Sequence, residues 1–192
     1  MGERSPSPYL AGHVDKFFDE VLAPMMQTTR GCPYTCTFCW EGGDYFKKTK
    51  RFSNERIKAE LHYIADRVKN IPDFQIVDAN FGMFKDDLET AKEIMVVKRG
   101  HPYSWPKSII SATAKNHKER TIELVEILGD IMPPKASIQS TDDTVLGNIR
   151  RKNVSISAMV EMAKASAKEG GQSESEIILC LEGDTKKAHF QS

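Results

Sequence analysis

Three cysteines lie within eight residues, in the order Cys32-Pro-Tyr-Thr-Cys36-Thr-Phe-Cys39. They follow an apolar run and a Thr-Thr-Arg-Gly turn, so the sequence predicts that one short loop carries all three thiols. Thiolates are the usual protein ligands of iron–sulfur clusters, and three of them leave one iron of a 4Fe–4S cube without a protein ligand. The spacing therefore favours a cluster with one iron open to a further ligand.

A structural zinc site is the main alternative, and it needs four Cys or His ligands that usually occur as two pairs. The other cysteine, Cys180, lies far along the chain in an apolar run. The histidines show no paired spacing, and they are His13, His62, His101, His117 and His189. A disulfide is less favoured still, because no signal peptide is apparent and the composition suggests a reducing compartment.

Composition limits the classes of partner. The 192 residues are 40% hydrophobic and 28% charged, which fits one globular domain with a buried core. Lysine plus arginine equals aspartate plus glutamate at 27 each, so the bulk charge attracts neither nucleic acid nor a membrane surface. No apolar run approaches the roughly 20 residues needed to cross a bilayer. We expect a cytoplasmic protein with no nucleic-acid or membrane partner.

The elements that must position the cysteines form an alternating pattern. Short apolar segments alternate with longer helical patterns, which is typical of strand–helix units in an α/β fold with a parallel sheet. Strands are predicted near residues 25–29, 74–79, 108–113, 136–140 and 176–181. Right-handed crossovers would curl these units into an open, partial barrel whose carboxyl-end loops converge on one site. The cysteine loop follows the first strand and belongs to that end.

The cysteine spacing, with the aromatic Phe38 just before the third Cys, resembles the signature of the radical SAM superfamily. The stretch Ser7-Pro-Tyr-Leu-Ala-Gly-His-Val-Asp-Lys-Phe-Phe18 resembles the class whose barrel follows a cobalamin-binding domain. Further segments that resemble the family are Asp78-Ala-Asn-Phe-Gly-Met83, Ser137-Ile-Gln-Ser-Thr141, Asn148-Ile-Arg-Arg-Lys-Asn153 and Glu176-Ile-Ile-Leu-Cys-Leu-Glu-Gly-Asp-Thr185. The resemblance covers nearly all of the chain.

The resemblance implies a fold as well as a chemistry. The family typically has a six-stranded partial (β/α) barrel of TIM type, whereas this chain ends soon after its fifth predicted strand. We therefore expect a partial TIM-like barrel that is truncated after about the fifth strand. Residues 1–22 would be a linker or N-terminal extension, and residues 23–192 an incomplete radical SAM core domain, with the cobalamin domain absent.

In the family, S-adenosyl-L-methionine (SAM) chelates the open iron, and an electron from the reduced cluster cleaves its carbon–sulfur bond to give a 5′-deoxyadenosyl radical. The resemblance implies that Cys32, Cys36 and Cys39 hold a 4Fe–4S cluster. It also implies SAM contacts, which are Phe38 along the adenine, Ser137 and Gln139 at the ribose and carboxylate, and Ile178 on the adenine.

The segment from Asp78 to Gly82 stands where the family presents a Gly-Gly-Glu-like sequence to the methionine ammonium. Backbone carbonyls and the side chain of Asp78 or Asn80 can accept hydrogen bonds from an ammonium. Gly82 permits close approach of the backbone. The alternative for the same residues is an ordinary Asx turn between strand and helix.

Three further expectations concern side chains near the ends of the last two predicted strands. Period-two alternation places Ser137 and Gln139 on one face of their strand, and we expect that face to point into the barrel. The cationic run at residues 150–152 is typical of a solvated face but also suits a SAM carboxylate. Cys180 is expected to be a small buried hydrophobe.

The resulting interpretation is a radical SAM enzyme that acts on an unknown small molecule, by methyl transfer or rearrangement. It implies a reductant protein such as a flavodoxin or ferredoxin, and cobalamin supplied through a domain missing here. The alternative is a non-catalytic iron–sulfur or zinc-binding scaffold.

Overall fold

The structure is a computed structural model that describes residues 5–113, 118–133, 135–168, 170 and 172–192. The first part contains β1 (Met25–Met26), β2 (Thr29–Arg30), β3 (Lys50–Arg51), α1 (Asn54–Ala65), β4 (Asp73–Phe81), α2 (Asp86–Gly100) and β5 (Ser108–Thr113). The second part contains α3 (Lys118–Leu128), β6 (Lys135–Gln139), α4 (Asp143–Asn148), α5 (Ile156–Lys168), β7 (Glu174–Ile177) and α6 (Lys186–Gln191). Short 3-10 helices span Asp15–Phe17, Trp40–Gly42, Asp44–Phe46 and Gly129–Ile131.

Strands β1, β4 and β5 form a parallel sheet with β4 in the middle. Met25 pairs with Gln75 on one side of β4, and Asp73 pairs with Ser108 on the other. The parallel order confirms the predicted α/β class. It also brings the carboxyl ends of these strands, and the loops that follow them, to one edge of the sheet.

Strands β6 and β7 form a separate parallel pair. Within the described ranges, no ladder of backbone hydrogen bonds joins β5 to β6. A side-chain bond does join them, because the Thr113 hydroxyl donates to the Lys135 carbonyl at the start of β6. The five-strand barrel therefore stays a prediction.

The main apolar core lies between the β1–β4–β5 sheet and helices α1 to α3. Helix α1 presents Ile57, Leu61 and Ile64 to it, at the spacing that places apolar residues on one face of a helix. Ser53 caps this helix, since its Oγ accepts the Arg56 amide at 3.3 Å. Tyr9 and Phe18, from the segment before β1, also pack against this core.

A smaller apolar cluster, made of Val145, Ile149 and Leu181, lies between α4 and the turn after β7. Strand β7 spans Glu174–Ile177, so it ends earlier than the predicted strand at 176–181. The expectation that Cys180 is buried is wrong, because a left-handed turn with φ of 62° leaves its side chain exposed. Among the described helices, none has the length and apolar character to span a membrane.

Candidate functional site

The cysteine loop runs from β2 to the short helix Trp40–Gly42, and its backbone is held at several points. The Cys32 amide donates to the Phe46 carbonyl at 2.9 Å, and the Cys39 amide donates to the Cys36 carbonyl at 3.2 Å. The Thr37 amide donates to the Ile149 carbonyl at 3.1 Å, which ties the loop to the end of α4. The loop is therefore anchored to both parts of the molecule.

Gly31 explains how the first cysteine enters this loop. Its φ of 93° lies in the left-handed region, and an added Cβ would lie 2.6 Å from the Phe46 carbonyl oxygen. A side chain at this position would push apart the two backbone segments that the Cys32 amide joins.

The three thiols have the chemistry that an iron–sulfur cluster needs, since all are free of disulfides. Cys32 and Cys36 are buried and Cys39 is half-buried. All three cysteines lie on this loop, but their sulfur atoms do not surround a common point. Across the described part of the chain, no three Cys, His, Asp or Glu side chains are grouped as a metal site would require. The ligand assignment stays a prediction.

A cavity of about 630 Å³ borders the loop. Cys36 and Cys39 line it, together with the exposed side chains of Trp40 and Tyr45 and with Arg150 from beyond α4. A molecule of the size of a cofactor fragment has room here against two of the three cysteines.

Asn80 is the predicted SAM-site residue that the structure brings to a cysteine. It lies near the end of β4, only 4% exposed, and its Nδ2 donates to the Cys32 sulfur at 3.2 Å. Its Oδ1 is buried and has no hydrogen-bond partner among the described residues. The end of β4 and the start of the cysteine loop thus meet through one amide group.

Asp78 is engaged elsewhere. Its carboxylate accepts the Thr28 amide at 2.7 Å, the Thr29 amide at 3.1 Å and the Thr28 hydroxyl. Burial raises the pKa of Asp78 to about 6, although these hydrogen bonds act to lower it. The side chain ties β4 to the connection between β1 and β2, so its predicted contact with an ammonium competes with these bonds.

Gly82 continues the same segment with φ of 94°, in the region that favours glycine. Its amide donates to Asp87 Oδ2 at 2.8 Å, and its carbonyl accepts Arg120 Nη1 at 3.3 Å. The Met83 carbonyl accepts the same guanidinium nitrogen. Backbone carbonyls of this segment therefore bind a cation, as predicted. The cation is the Arg120 guanidinium of the protein itself and not the ammonium of SAM.

The sequence interpretation missed the Arg51–Asp87 ion pair, which supports the Gly82 turn. Arg51 Nη1 lies 2.5 Å from Asp87 Oδ1 and 3.0 Å from Thr28 Oγ1. Asp87 Oδ2 also accepts the Phe84 amide at 3.0 Å. Asp87 lies in the first turn of α2, 36 residues after Arg51, and no local sequence pattern indicates that the two side chains meet.

The predicted common face of Ser137 and Gln139 is not observed. Gln139 has φ of 66°, and the β6–β7 register shifts between these two residues, so period-two alternation fails here. Gln139 and Ile138 are both buried, whereas Ser137 donates to Glu176 Oε2 at 2.8 Å.

Arg151 departs from the solvated face expected for the run at 150–152. It is 7% exposed, and its Nε donates to Asn153 Oδ1 at 2.9 Å. Its Nη1 is buried without a partner among the described residues. Together with Ser137 and Thr113 it lines a second cavity, of about 270 Å³.

The two predicted adenine contacts lie in different surroundings. Phe38 is part-exposed on the cysteine loop. Ile178 packs against the small cluster of Val145, Ile149 and Leu181, and its amide donates to the Gln139 carbonyl at 2.9 Å. Their roles at an adenine stay predictions.

Comparison with protein-family models gives no match. The chain is 32% identical over 186 residues to 2-(S-pantetheinyl)-carbapenam-3-carboxylate methyltransferase of Streptantibioticus cattleyicolor, a match over 92% of this chain and 27% of the relative. It is 31% identical over 198 residues to the cobalamin-dependent radical SAM methyltransferase TokK of Streptomyces tokunonensis, over 96% of this chain and 28% of TokK. The chain thus spans little more than a quarter of the length of these curated relatives.

Among solved structures, the chain resembles the radical SAM methyltransferase TsrM of Kitasatospora setae with tryptophan substrate and a SAM analogue bound. The TM-score is 0.71 at 14% identity, over 90% of this chain and 33% of TsrM. Methylornithine synthase (PylB) matches with a TM-score of 0.55 at 15% identity, over 95% of this chain and 54% of PylB. At these identities the likeness concerns the fold. With the sequence matches, it relates the chain to the radical SAM superfamily, to which the cobalamin-dependent methyltransferase TokK belongs.

Proposed function

We propose that residues 23–192 act as a radical SAM core within a cytoplasmic enzyme, and that Cys32, Cys36 and Cys39 hold a 4Fe–4S cluster. One observation carries the proposal: three disulfide-free cysteines on one anchored loop, in a chain related to radical SAM methyltransferases. The parallel strands would then belong to a partial TIM-like barrel, in keeping with the likeness to TsrM.

The chain's own residues have defined tasks in this proposal. A bound and reduced 4Fe–4S cluster supplies the electron that cleaves SAM to a 5′-deoxyadenosyl radical. Two cysteines border the cavity of about 630 Å³, so SAM bound there would lie beside their sulfurs. Arg150 lines the same cavity and is suited to the SAM carboxylate, because guanidinium–carboxylate bonds are strong and directional.

Methyl transfer is the reaction that the relatives' names favour over rearrangement. We propose a small-molecule substrate, cobalamin as the methyl carrier, and a reductant protein such as a flavodoxin or ferredoxin. The 40% hydrophobic, charge-balanced composition agrees with partners that are neither nucleic acid nor membrane.

The test is anaerobic reconstitution with iron and sulfide, followed by electron paramagnetic resonance of the reduced protein with and without SAM. The wild-type protein is expected to give a 4Fe–4S signal that changes when SAM is added. Cys36→Ala is expected to lose the cluster, because it removes one of the three ligands. Cys180→Ala is the matched control and is expected to keep it, since Cys180 is exposed and outside the loop.

Two results would contradict the proposal. A cluster that ignores SAM, or zinc in its place, would indicate a metal-binding scaffold. Loss of iron from Cys180→Ala would indicate a site closed by four ligands, with no iron left for SAM.

A further inference from the structure

The buried side-chain amide of Asn80 contributes little to the stability of the fold. Its side-chain amide donates to the Cys32 sulfur, and its buried oxygen has no partner among the described residues. A buried amide with an unpaired oxygen lowers stability, and sulfur is a weaker acceptor than oxygen. A leucine of similar size would fill the same space without a buried polar group.

The direction of the Asn80 hydrogen bond suits a metal-bound sulfur. A cysteine that ligates a metal is a thiolate and has no proton to donate, so the amide must present its N–H to the sulfur. The geometry, with Nδ2 at 3.2 Å from Sγ, already has this orientation.

A hydrogen bond to a cluster sulfur has a known electronic effect. Reduction adds one negative charge to the cluster, and an N–H donor stabilises that charge more in the reduced form than in the oxidised form. Hydrogen bonds to the sulfurs are accordingly among the determinants of iron–sulfur reduction potentials. Because the Cys32 sulfur is buried, water does not replace a lost donor.

We propose that Asn80 is a positioning residue that raises the reduction potential of the cluster through its hydrogen bond to Cys32. The inference rests on the proposed function, since it requires the cluster. It assigns to the end of β4 a role in electron transfer that is separate from any contact with SAM.

The experiment is a potentiometric titration of the reconstituted protein, followed by electron paramagnetic resonance, for wild type and Asn80→Leu. The variant's midpoint potential is expected to be more negative, by about a tenfold change in the reduction equilibrium constant, or about 59 mV for one electron. Asn70→Leu is the matched control, because Asn70 is an exposed asparagine whose amide donates to Glu20, and its potential is expected to equal that of wild type.

A second measurement needs no variant. The N–H···S bond is expected to shift the iron–sulfur stretching bands of the wild type in resonance Raman spectra when H₂O is exchanged for D₂O. A normal cluster with an unchanged potential in Asn80→Leu, or with no such isotope shift in the wild type, would overturn the inference while leaving the proposed function intact. Failure of the wild type to assemble a cluster would instead overturn the proposed function.

Discussion

At the scale of single residues, Asp78 shows how burial and hydrogen bonding oppose each other. The carboxyl group accepts bonds from Thr28 and Thr29, which favour its charged form. Burial is the larger effect and raises its pKa to about 6 from 3.8. The folded protein therefore holds the Asp78 proton more tightly than the unfolded chain does.

This difference predicts a pH dependence of stability. Between pH 4 and pH 6 the folded state binds more protons at Asp78 than the unfolded state, so the free energy of unfolding falls as pH rises through the folded pKa. The contribution is on the order of 3 kcal/mol, fully present below pH 4 and lost above pH 6. Denaturant unfolding of wild type and Asp78→Asn between pH 4 and pH 6 measures this contribution. The free energy of unfolding of the variant is expected not to show the fall with pH that Asp78 causes in the wild type. Parallel pH profiles for the two proteins would contradict the prediction.

Residue types were readable from the sequence, but contacts over long chain distances were not. The placement of all three cysteines on one loop is a local property of the sequence and could be predicted, whereas the bond of the Thr37 amide to the distant Ile149 carbonyl could not. Whether Asn80 meets Cys32 or Asp78 meets Thr28 depends on the pairing of β4 with β1, about 50 residues away. No local pattern contains that information.

At the scale of elements, the Arg51–Asp87 pair joins β3 to the first turn of α2. Arg51 also donates from Nη2 to the Asp86 carbonyl and to Thr90 Oγ1, both at 3.0 Å. Burial raises the pKa of Asp87, while the Phe84 amide and the Arg51 charge act in the opposite direction. The pair holds the turn at Gly82, which precedes the helix.

Removing one partner of this buried pair is expected to be costly. Arg51→Met leaves the Asp87 carboxylate buried without its cation, so we expect the free energy of unfolding to fall by about 3 kcal/mol or more. Lys47→Met is the matched control, because the Lys47–Asp44 pair is exposed and its loss is expected to change stability by less than about 1 kcal/mol. Equal effects in denaturant titrations would mean that the buried pair does not support the turn.

Helix α1 was predictable because its cap and its apolar face are both local properties of the sequence. The ends of β6 and β7 were not predictable. The backbone has a positive φ at Gln139 and at Cys180, and neither residue is a glycine that would indicate such a turn in the sequence. Period-two reasoning therefore failed where the backbone leaves the extended region.

At the scale of the whole molecule, the apolar residues form two clusters of unequal size. The larger extends from Met26 to Met132, and the smaller consists of Val145, Ile149 and Leu181 with two part-buried neighbours. All four residues of β7 are exposed, whereas β4 is largely buried. The part of the chain after Met132, which contributes the smaller cluster, thus has much less burial to stabilise it than the part before it.

Amide hydrogen exchange should reveal this difference in burial as a difference in protection between β4 and β7. Strand β4 is expected to exchange only through global unfolding, while β7 opens locally because few apolar contacts hold it. We expect β7 amides to exchange at least about a hundredfold faster than central β4 amides, which corresponds to a difference of about 2.7 kcal/mol in opening free energy. Equal protection in exchange monitored by mass spectrometry would show that the two clusters unfold as one unit.

The bond between the Thr37 amide and the Ile149 carbonyl connects these parts at the cysteine loop. Thr37 lies between the second and third cysteines, and Ile149 belongs to the smaller cluster. In the proposed cluster-bound enzyme, a backbone movement that brought Cys36 and Cys39 closer together would stretch this bond or move α4 with the loop. Binding of the cluster would then be coupled to the position of α4.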